Sequence, residues 1–258
     1  MAPESTTHDV EVLGIDAGGT MTDTFYVDSD GDFVVGKAQS NPDDESVAIL
    51  NSSADALAPW GITDLNDAIG NLVTGVYSGT AMLNRVVQRK GLRCGLIVNK
   101  GTEDHHRMGR AIQSHLGLAY PDRIHINTHW YDPPLAKREH TYGVVERVDM
   151  FGDVVIPLRE ESAREAARAL IADDVESIAI SLLHSYKNPD HERRVRDIVL
   201  EELEKAGKSI PVFASADYYP LRKESHRTNT TLLEAYAAEP SRKTLQKISD
   251  AFKNHGAK

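Results

Sequence analysis

Between Leu13 and Asp23 the chain reads LGIDAGGTMTD: an apolar run, then an acid, two adjacent glycines and two threonines. Paired glycines open the left-handed backbone region and leave no Cβ to obstruct a ligand. The amides of Gly18 and Gly19 could therefore converge on an anion. In an extended segment Thr20 and Thr22 share a side, which would bring both hydroxyls to one phosphate. Asp16, at the end of the apolar run, would repel that phosphate unless a cation stood between them. Mg²⁺ held through waters by one or two carboxylates is the natural mediator. By strand alternation Asp23 points the other way and supports the turn. The competing reading is a plain hairpin turn with polar side chains.

Other groups could also do chemistry. Ser78-Gly79-Thr80 lies at a strand-to-helix junction, where Gly79 and Thr80 could meet phosphate or Thr80 could simply cap the helix. Further on, Arg222 and Lys223 lead into SHRTNTT. There Arg227, Asn229 and Thr230 could place donors near an anion at a helix start, or Thr228 could be the cap of that helix. Histidines gather from His105 to His140 with Glu103, Asp104 and Asp132 among them, yet only His105 and His106 are closely spaced. Neighbouring side chains diverge, so surface or interface histidines compete with a metal site. Cys94, the single cysteine, sits in RCGLIV as a buried small hydrophobe rather than a nucleophile. No G-x-S-x-G elbow appears, and neither the G-x-G-x-x-G spacing nor a Walker Gly-Lys-Ser/Thr is present.

These residues need elements to hold them. Three strands are expected at Val12–Asp16, Thr22–Val27 and Asp32–Gln39, joined by turns too short for a parallel crossover, hence an antiparallel meander. A helix over NPDDESVAILNSSADAL presents Val47, Leu50, Ala54 and Leu57 as its apolar stripe. NLVTGVYSG, CGLIVNKG, GVVERVD, VVIPL, SIAISLL and IPVFAS read as strands. TAMLNRVVQRKG, REESAREAARALIADD and PDHERRVRDIVLEELEKAG read as helices. In the last of these Asn188 and Pro189 open the helix, Val195, Ile198, Val199 and Leu203 are its buried stripe, and Glu201 pairs with Lys205. Residues 102–141 form an irregular excursion with a short helix, and two helices separated at Pro240 finish the chain. The order predicts an α/β fold, a mixed sheet with an antiparallel N-terminal meander and flanking helices.

Composition sets the outer limits. At 258 residues, 40% hydrophobic and 26% charged, the chain can build a substantial core. A net charge of −10 argues against a nucleic-acid surface. No apolar run approaches the ~20 residues of a membrane span, and the polar, acidic MAPESTTHDVEV lacks a signal pattern. The expectation is a cytoplasmic protein with a loose tail over residues 1–9.

GIDAGGTMTD resembles the first phosphate segment of actin-like ATPase domains, which have a ribonuclease H-like core. Its form D-x-G-G-T-x-T-D resembles the hydantoinase A/oxoprolinase family. GTAMLNRVVQRKG, SLLHSYKNPDHE and YYPLRKESHRTNTTLLEAYAAEPS extend the likeness over nearly the whole chain. VYSGTAMLNRVVQRKGLRCGLIVNKG and HSYKNPDHERRVRDIVLEE look most like the acetone carboxylase β-subunit branch. The resemblance implies that residues 10–258 form the N-terminal domain of the family, with ATP and Mg²⁺ as cofactors. Asp16, the expected catalytic residue, would organise the metal and its waters. Gly18, Gly19 and Thr20 would receive the β- and γ-phosphates, with Thr22 assisting. It further implies α and γ partner subunits, manganese on a partner only, and a small ketone and bicarbonate as substrates of the full enzyme. ATP would phosphorylate the ketone's enol form and bicarbonate before carboxylation. Alternatives are an ATP-dependent hydantoinase or 5-oxoprolinase fragment, or a non-catalytic assembly module. The second aspartate-glycine-glycine-threonine turn of the family is absent before Lys258, so the expectation is half of a two-sided site, with weak nucleotide binding and negligible turnover alone.

Overall fold

The computed structural model describes residues 8–41, 44–108 and 112–257. Most of the expected tail lies outside them, although His8 is held by Asp28 at 2.6 Å and stacks on Trp60. The chain divides into two compact units, one formed by residues up to Lys90 together with Pro240 onward, the other by Gly91–Glu239.

The first unit opens with β1 (Val10–Ala17), β2 (Met21–Asp28) and β3 (Phe33–Gln39), then α1 (Glu45–Leu57), α2 (Leu65–Ile69), β4 (Thr74–Gly79) and α3 (Ala81–Val87). The sheet order is β3-β2-β1-β4, with antiparallel β1–β2 and β2–β3 pairs and a parallel β1–β4 pair. The meander expected from the short turns is present. One face of this sheet is buried: Leu13, Ile15 and Tyr26 pack with Ile49, Ala56 and Leu57 of α1. The other face is open and carries Phe25, Phe33, Val35 and Val76 at the surface.

The face that α1 buries is not the expected one. Ala48, Ile49, Ser52, Ser53, Ala56 and Leu57 point inward, whereas Val47 is exposed, so the stripe of Val47, Leu50 and Ala54 is corrected with Leu57 alone retained. Small residues win because α1 runs very close to β3: a Cβ built on Gly36 would overlap the Ser52 carbonyl oxygen and the Ala56 amide.

In the second unit the elements are β5 (Cys94–Asn99), α4 (His105–Met108), α5 (Tyr120–Arg123), β6 (Thr141–Val144), β7 (Arg147–Val148), β8 (Val154–Ile156), α6 (Glu160–Ala172), β9 (Ser177–Ile180), α7 (Asp190–Lys205), β10 (Val212–Ala214), α8 (Ser215–Tyr218) and α9 (Glu224–Leu233). A π-helical segment, Glu234–Ala238, precedes α10 (Glu239–Asn254), so the expected interruption at Pro240 takes the form of a widened turn just before it. Strands β6, β5, β9 and β10 lie in that order, all parallel. Fully buried β5 and β9 are the continuous apolar runs a parallel sheet requires. The stripe Val195, Ile198, Val199 and Leu203 of α7 is buried against it, as its spacing predicts.

The expected Glu201–Lys205 pair is replaced by a wider network. Glu201 takes Arg164 and Arg194, while Lys205 takes Glu202 at 2.7 Å. Glu202, with a side chain only 6% exposed, also accepts from Arg168 at 2.8 Å and Arg164 at 3.2 Å. Its spot opposite α6 lets one carboxylate serve both helices. Arg168 foremost, then Lys205 and Arg164, hold its carboxyl down from 4.5 to about 2. A lowered folded pKa stabilises above the unfolded value, and that contribution is lost as pH falls through the folded one. Thermal midpoints should therefore hold steady down to pH near 4.5 and drop between there and 2. Glu202→Gln should lower the neutral-pH midpoint and flatten that acid slope; an unchanged slope would contradict this account.

Candidate functional site

The turn between β1 and β2 consists of Gly18, Gly19 and Thr20. Gly18 donates to the Met21 carbonyl at 3.0 Å, closing the turn. Neither glycine is left-handed, which corrects one reason for their presence. Close approach is the other reason and it stands: a Cβ on Gly18 would lie 2.8 Å from the Met21 carbonyl oxygen. The amides of Gly19 and Thr20 have no acceptor among the described residues, and both residues are exposed.

Ser40, just past β3, fastens the turn from behind. Its hydroxyl donates to the Gly18 carbonyl at 2.7 Å and its amide to the Thr20 carbonyl at 2.9 Å. Thr22 is 1% exposed and shares a 3.0 Å hydrogen bond with the Ser40 hydroxyl. Thr20 lies in the turn, outside the strand, so strand alternation does not align it with Thr22. Thr22 supports the turn from the buried side. Ser40 was not singled out from sequence. The signal that finds it is the meander register, which pairs Met21 with Gln39 and so brings the next residue under the turn.

Asp16 and Asp23 are register partners and share the open face of the sheet, so Asp23 points away from buried Thr22, as strand alternation predicts, but onto the same face as Asp16. The tight turn reverses the chain and aligns the two acids. Across the strands this row reads Ser78, Asp16, Asp23, Lys37. Lys37 Nζ lies 2.7 Å from Asp23, whereas the Asp16 carboxylate has no hydrogen-bond or ionic partner among the described residues. Directly opposed carboxylates repel, and Lys37 relieves only one of them. The row edges an open depression of about 650 Å³ floored by Gly14, Phe25 and Val76.

Parallel pairing of β1 with β4 sets Ala17 opposite Gly79. The two strands thus end side by side, and their following turns are neighbours. Thr80 is the N-terminal boundary of α3, but its hydroxyl makes no cap bond; it accepts from Asn84 Nδ2 at 3.2 Å. That Nδ2 would be 3.6 Å from a Cβ on Gly19. Gly18, Gly19, Thr20, Gly79, Thr80 and Asp16 are therefore one cluster in the first unit.

Arg227, Asn229 and Thr230 belong to the second unit. α9 begins at Glu224, so these residues lie within the helix, not at its start. Arg227 is wholly buried and donates to Ser215 Oγ, the Leu221 carbonyl and the Leu182 carbonyl. Thr228 shares a 2.7 Å hydrogen bond with Ser181 and caps nothing. Asn229 and Thr230 are exposed.

Of the histidines, His106 turns inward with Nε2 3.2 Å from the Ala136 carbonyl, and burial lowers its pKa. Among the described residues no three His, Cys, Asp or Glu side chains gather to hold a metal ion. Cys94 is buried beside Ser177, and burial pushes its thiol up to about 11. None of the described helices is long and apolar enough to cross a membrane.

Comparison with known proteins adds independent findings. The profile of the hydantoinase/oxoprolinase N-terminal region matches residues 12–203. The acetone carboxylase beta subunit of Xanthobacter autotrophicus is 74% identical over 96% of this chain and 35% of its own length. The acetophenone carboxylase gamma subunit of Aromatoleum aromaticum is 36% identical over 88% of this chain and 31% of its own. A nucleotide-free acetone carboxylase structure, described under ATP-dependent acetone carboxylation, superposes with TM-score 0.92 at 73% identity, covering 98% of this chain and 35% of that one. The ATP-dependent caprolactamase of Pseudomonas jessenii superposes at 0.82 with 28% identity, over 96% of this chain and 34% of that one. The chain spans 31% to 35% of the length of these relatives.

Proposed function

Because the chain belongs to the hydantoinase/oxoprolinase family and has the actin-like ATPase fold of its solved relatives, we propose that it is the N-terminal, ATP-binding part of an acetone-carboxylase-like β subunit. In that role it would work with α and γ subunits, the manganese lying on a partner. Small ketone and bicarbonate would be activated by phosphorylation from ATP. The 74% identity to a carboxylase subunit, against 28% to the solved caprolactamase, favours the ketone over a cyclic amide.

The observation that carries the nucleotide reading is the cluster at the ends of β1 and β4. Two exposed amides without acceptors among the described residues, Gly19 and Thr20, stand beside Asp16, whose carboxylate has no partner among them either. The donor set fits a phosphate-bound magnesium ion, which takes one or two carboxylates and keeps waters for the rest. Asp16 would hold the metal through water, and the Gly18–Thr20 turn with the neighbouring Gly79-Thr80 turn would receive phosphate oxygens. Ser40 and Thr22 fix the turn's shape. Bound MgATP would supply the phosphoryl group. Phosphoryl transfer depends on positioning and on charge around the transferring group, so one wall of a cleft binds without turning over.

Calorimetric titration with ATP in magnesium and in EDTA tests this. Magnesium-dependent binding should weaken about tenfold or more in Asp16→Asn, roughly the 1.4 kcal/mol of one lost charge contact, with no phosphate release from either protein. Equal affinity in both proteins, or indifference to magnesium, would refute the assignment.

A further inference from the structure

The parallel sheet of the second unit has a feature that the nucleotide reading does not use. From β5 the chain passes to β6 on one side, and from β9 to β10 on the other, with β5 and β9 adjacent. In such sheets ligands enter the crevice beyond the carboxyl ends of the strands, where the winding direction switches. The segments that follow β6, β9 and β10, though not the one that follows β5, line a groove of about 860 Å³ beyond those carboxyl ends. Arg147 comes from the first, His184, Tyr186 and Lys187 from the second, and Arg222 from the third.

The charge balance of this groove is unusual for a chain of net charge −10. Arg147, Lys187 and Arg222 all line it, and among the described residues none has a carboxylate within 4.0 Å. Two acids also face it. Asp149 is turned onto its own loop, where Oδ1 accepts from the amides of Phe151, Gly152 and Asp153. Glu224 Oε1 is buried without a hydrogen-bond partner among the described residues, 3.7 Å from His184 Nδ1 and 3.9 Å from Arg227 Nη1. The His184 Nδ1 atom is equally buried and likewise lacks a hydrogen-bond partner among the described residues. Buried polar atoms left unpaired are destabilising, a cost that a ligand or a water could remove. Two of the four left-handed non-glycine residues among those described, His184 at φ 58° and Lys223 at φ 84°, sit in the segments forming the rim. Such strain persists at functional sites, where surrounding structure enforces it. Tyr186 and the exposed Phe151 supply an apolar wall.

We propose that this groove binds a small molecule bearing an oxyanion, a phosphoryl or carboxylate group, held by Arg147, Lys187 and Arg222 with the ligand's body against Tyr186 and Phe151. Guanidinium groups suit both chemistries because their planar donors match paired oxygens. The site is separate from the Asp16 cluster and does not rest on the nucleotide reading.

Amide chemical shifts of the whole chain, titrated with pyrophosphate and separately with benzoate at constant ionic strength, test it. Saturable shifts are expected at Gly152, Tyr186 and Arg222, for one probe more tightly than the other, which tells phosphoryl from carboxylate. Lys187→Ala and Arg222→Ala, both at exposed positions, should each weaken that binding tenfold or more, and Asp16→Asn should leave it unchanged. Shifts no larger than those of a sodium chloride control, failure of both probes to saturate, or equal binding by the two groove variants would overturn the proposal. Saturation only by an acidic peptide would overturn it too, in favour of a protein-docking surface.

Discussion

Arg227→Met should destabilise the second unit by about 3–5 kcal/mol, the cost of removing one partner from a buried ionic network. Arg227 Nε donates to Ser215 Oγ at 3.0 Å, Nη1 to the Leu221 carbonyl at 3.1 Å and Nη2 to the Leu182 carbonyl at 2.6 Å, while its guanidinium lies 5.7 Å from the Tyr186 ring centre. Glu192, fully buried, accepts from the same Ser215 hydroxyl and from the amides of Leu182 and Ala216. The two charges therefore share Ser215 and Leu182 and tie α7 and α9 to the ends of β9 and β10. Without the cation, Glu192 remains as a buried charge in a medium that solvates it poorly. In the double variant Arg227→Met/Glu192→Gln both charges are gone, so part of the loss should return. Urea unfolding followed by hydrogen exchange in α9 measures both. A single-variant loss under about 1 kcal/mol, or strictly additive losses, would show that the pair does not act as a unit.

Arg227 also shows where the sequence stops informing. A cation followed by Asn and Thr at a supposed helix start looks like an anion site. Only the tertiary fold reveals that the helix starts at Glu224 and that every Arg227 donor group faces inward. What was legible rested on local rules. Short turns forced the meander, continuous apolar runs such as CGLIVN and SIAI marked the buried parallel strands, and 3.6-residue spacing found the face of α7. What was not legible depended on approach. The inward face of α1 follows from Gly36 on β3, and the pairing of Asp23 with Asp16 on one face follows from the β1–β2 register. Glu202 gathers two cations beyond Lys205 of its own helix because α6 lies beside it. The cluster proposed to receive nucleotide was half visible: Asp16, Gly18, Gly19 and Thr20 fall within five residues, whereas Ser40 enters through strand register. The basic groove had no linear signature, since Arg147, Lys187 and Arg222 are separated by tens of residues and meet only at the carboxyl edge of the sheet.

Gly36→Val should be the most damaging single change in the first unit, at about 3 kcal/mol or more. Overpacking a core ordinarily costs about 1–3 kcal/mol because side chains can shift. At Gly36 the obstacle is backbone, the Ser52 carbonyl and the Ala56 amide of α1, which can yield only if the whole helix moves. That movement would part the buried Thr24–Ser52 hydroxyl pair and the bond from the Lys37 amide to Asp55. Lys37 and Ser40 follow on the same strand and its exit, so the neutralisation of Asp23 and the clamp on Gly18 would be disturbed together. Gly75 is the control, for it lies in β4 with open space where its Cβ would be and an ordinary backbone. Gly75→Val should be neutral or slightly stabilising, as β-branched residues suit strands. Thermal unfolding of the two variants, with a magnesium–ATP titration of each, separates close packing from strand propensity. Similar midpoints for both would mean that α1 does not press on β3 as described, and the account of why small residues line its inner face would fail with it.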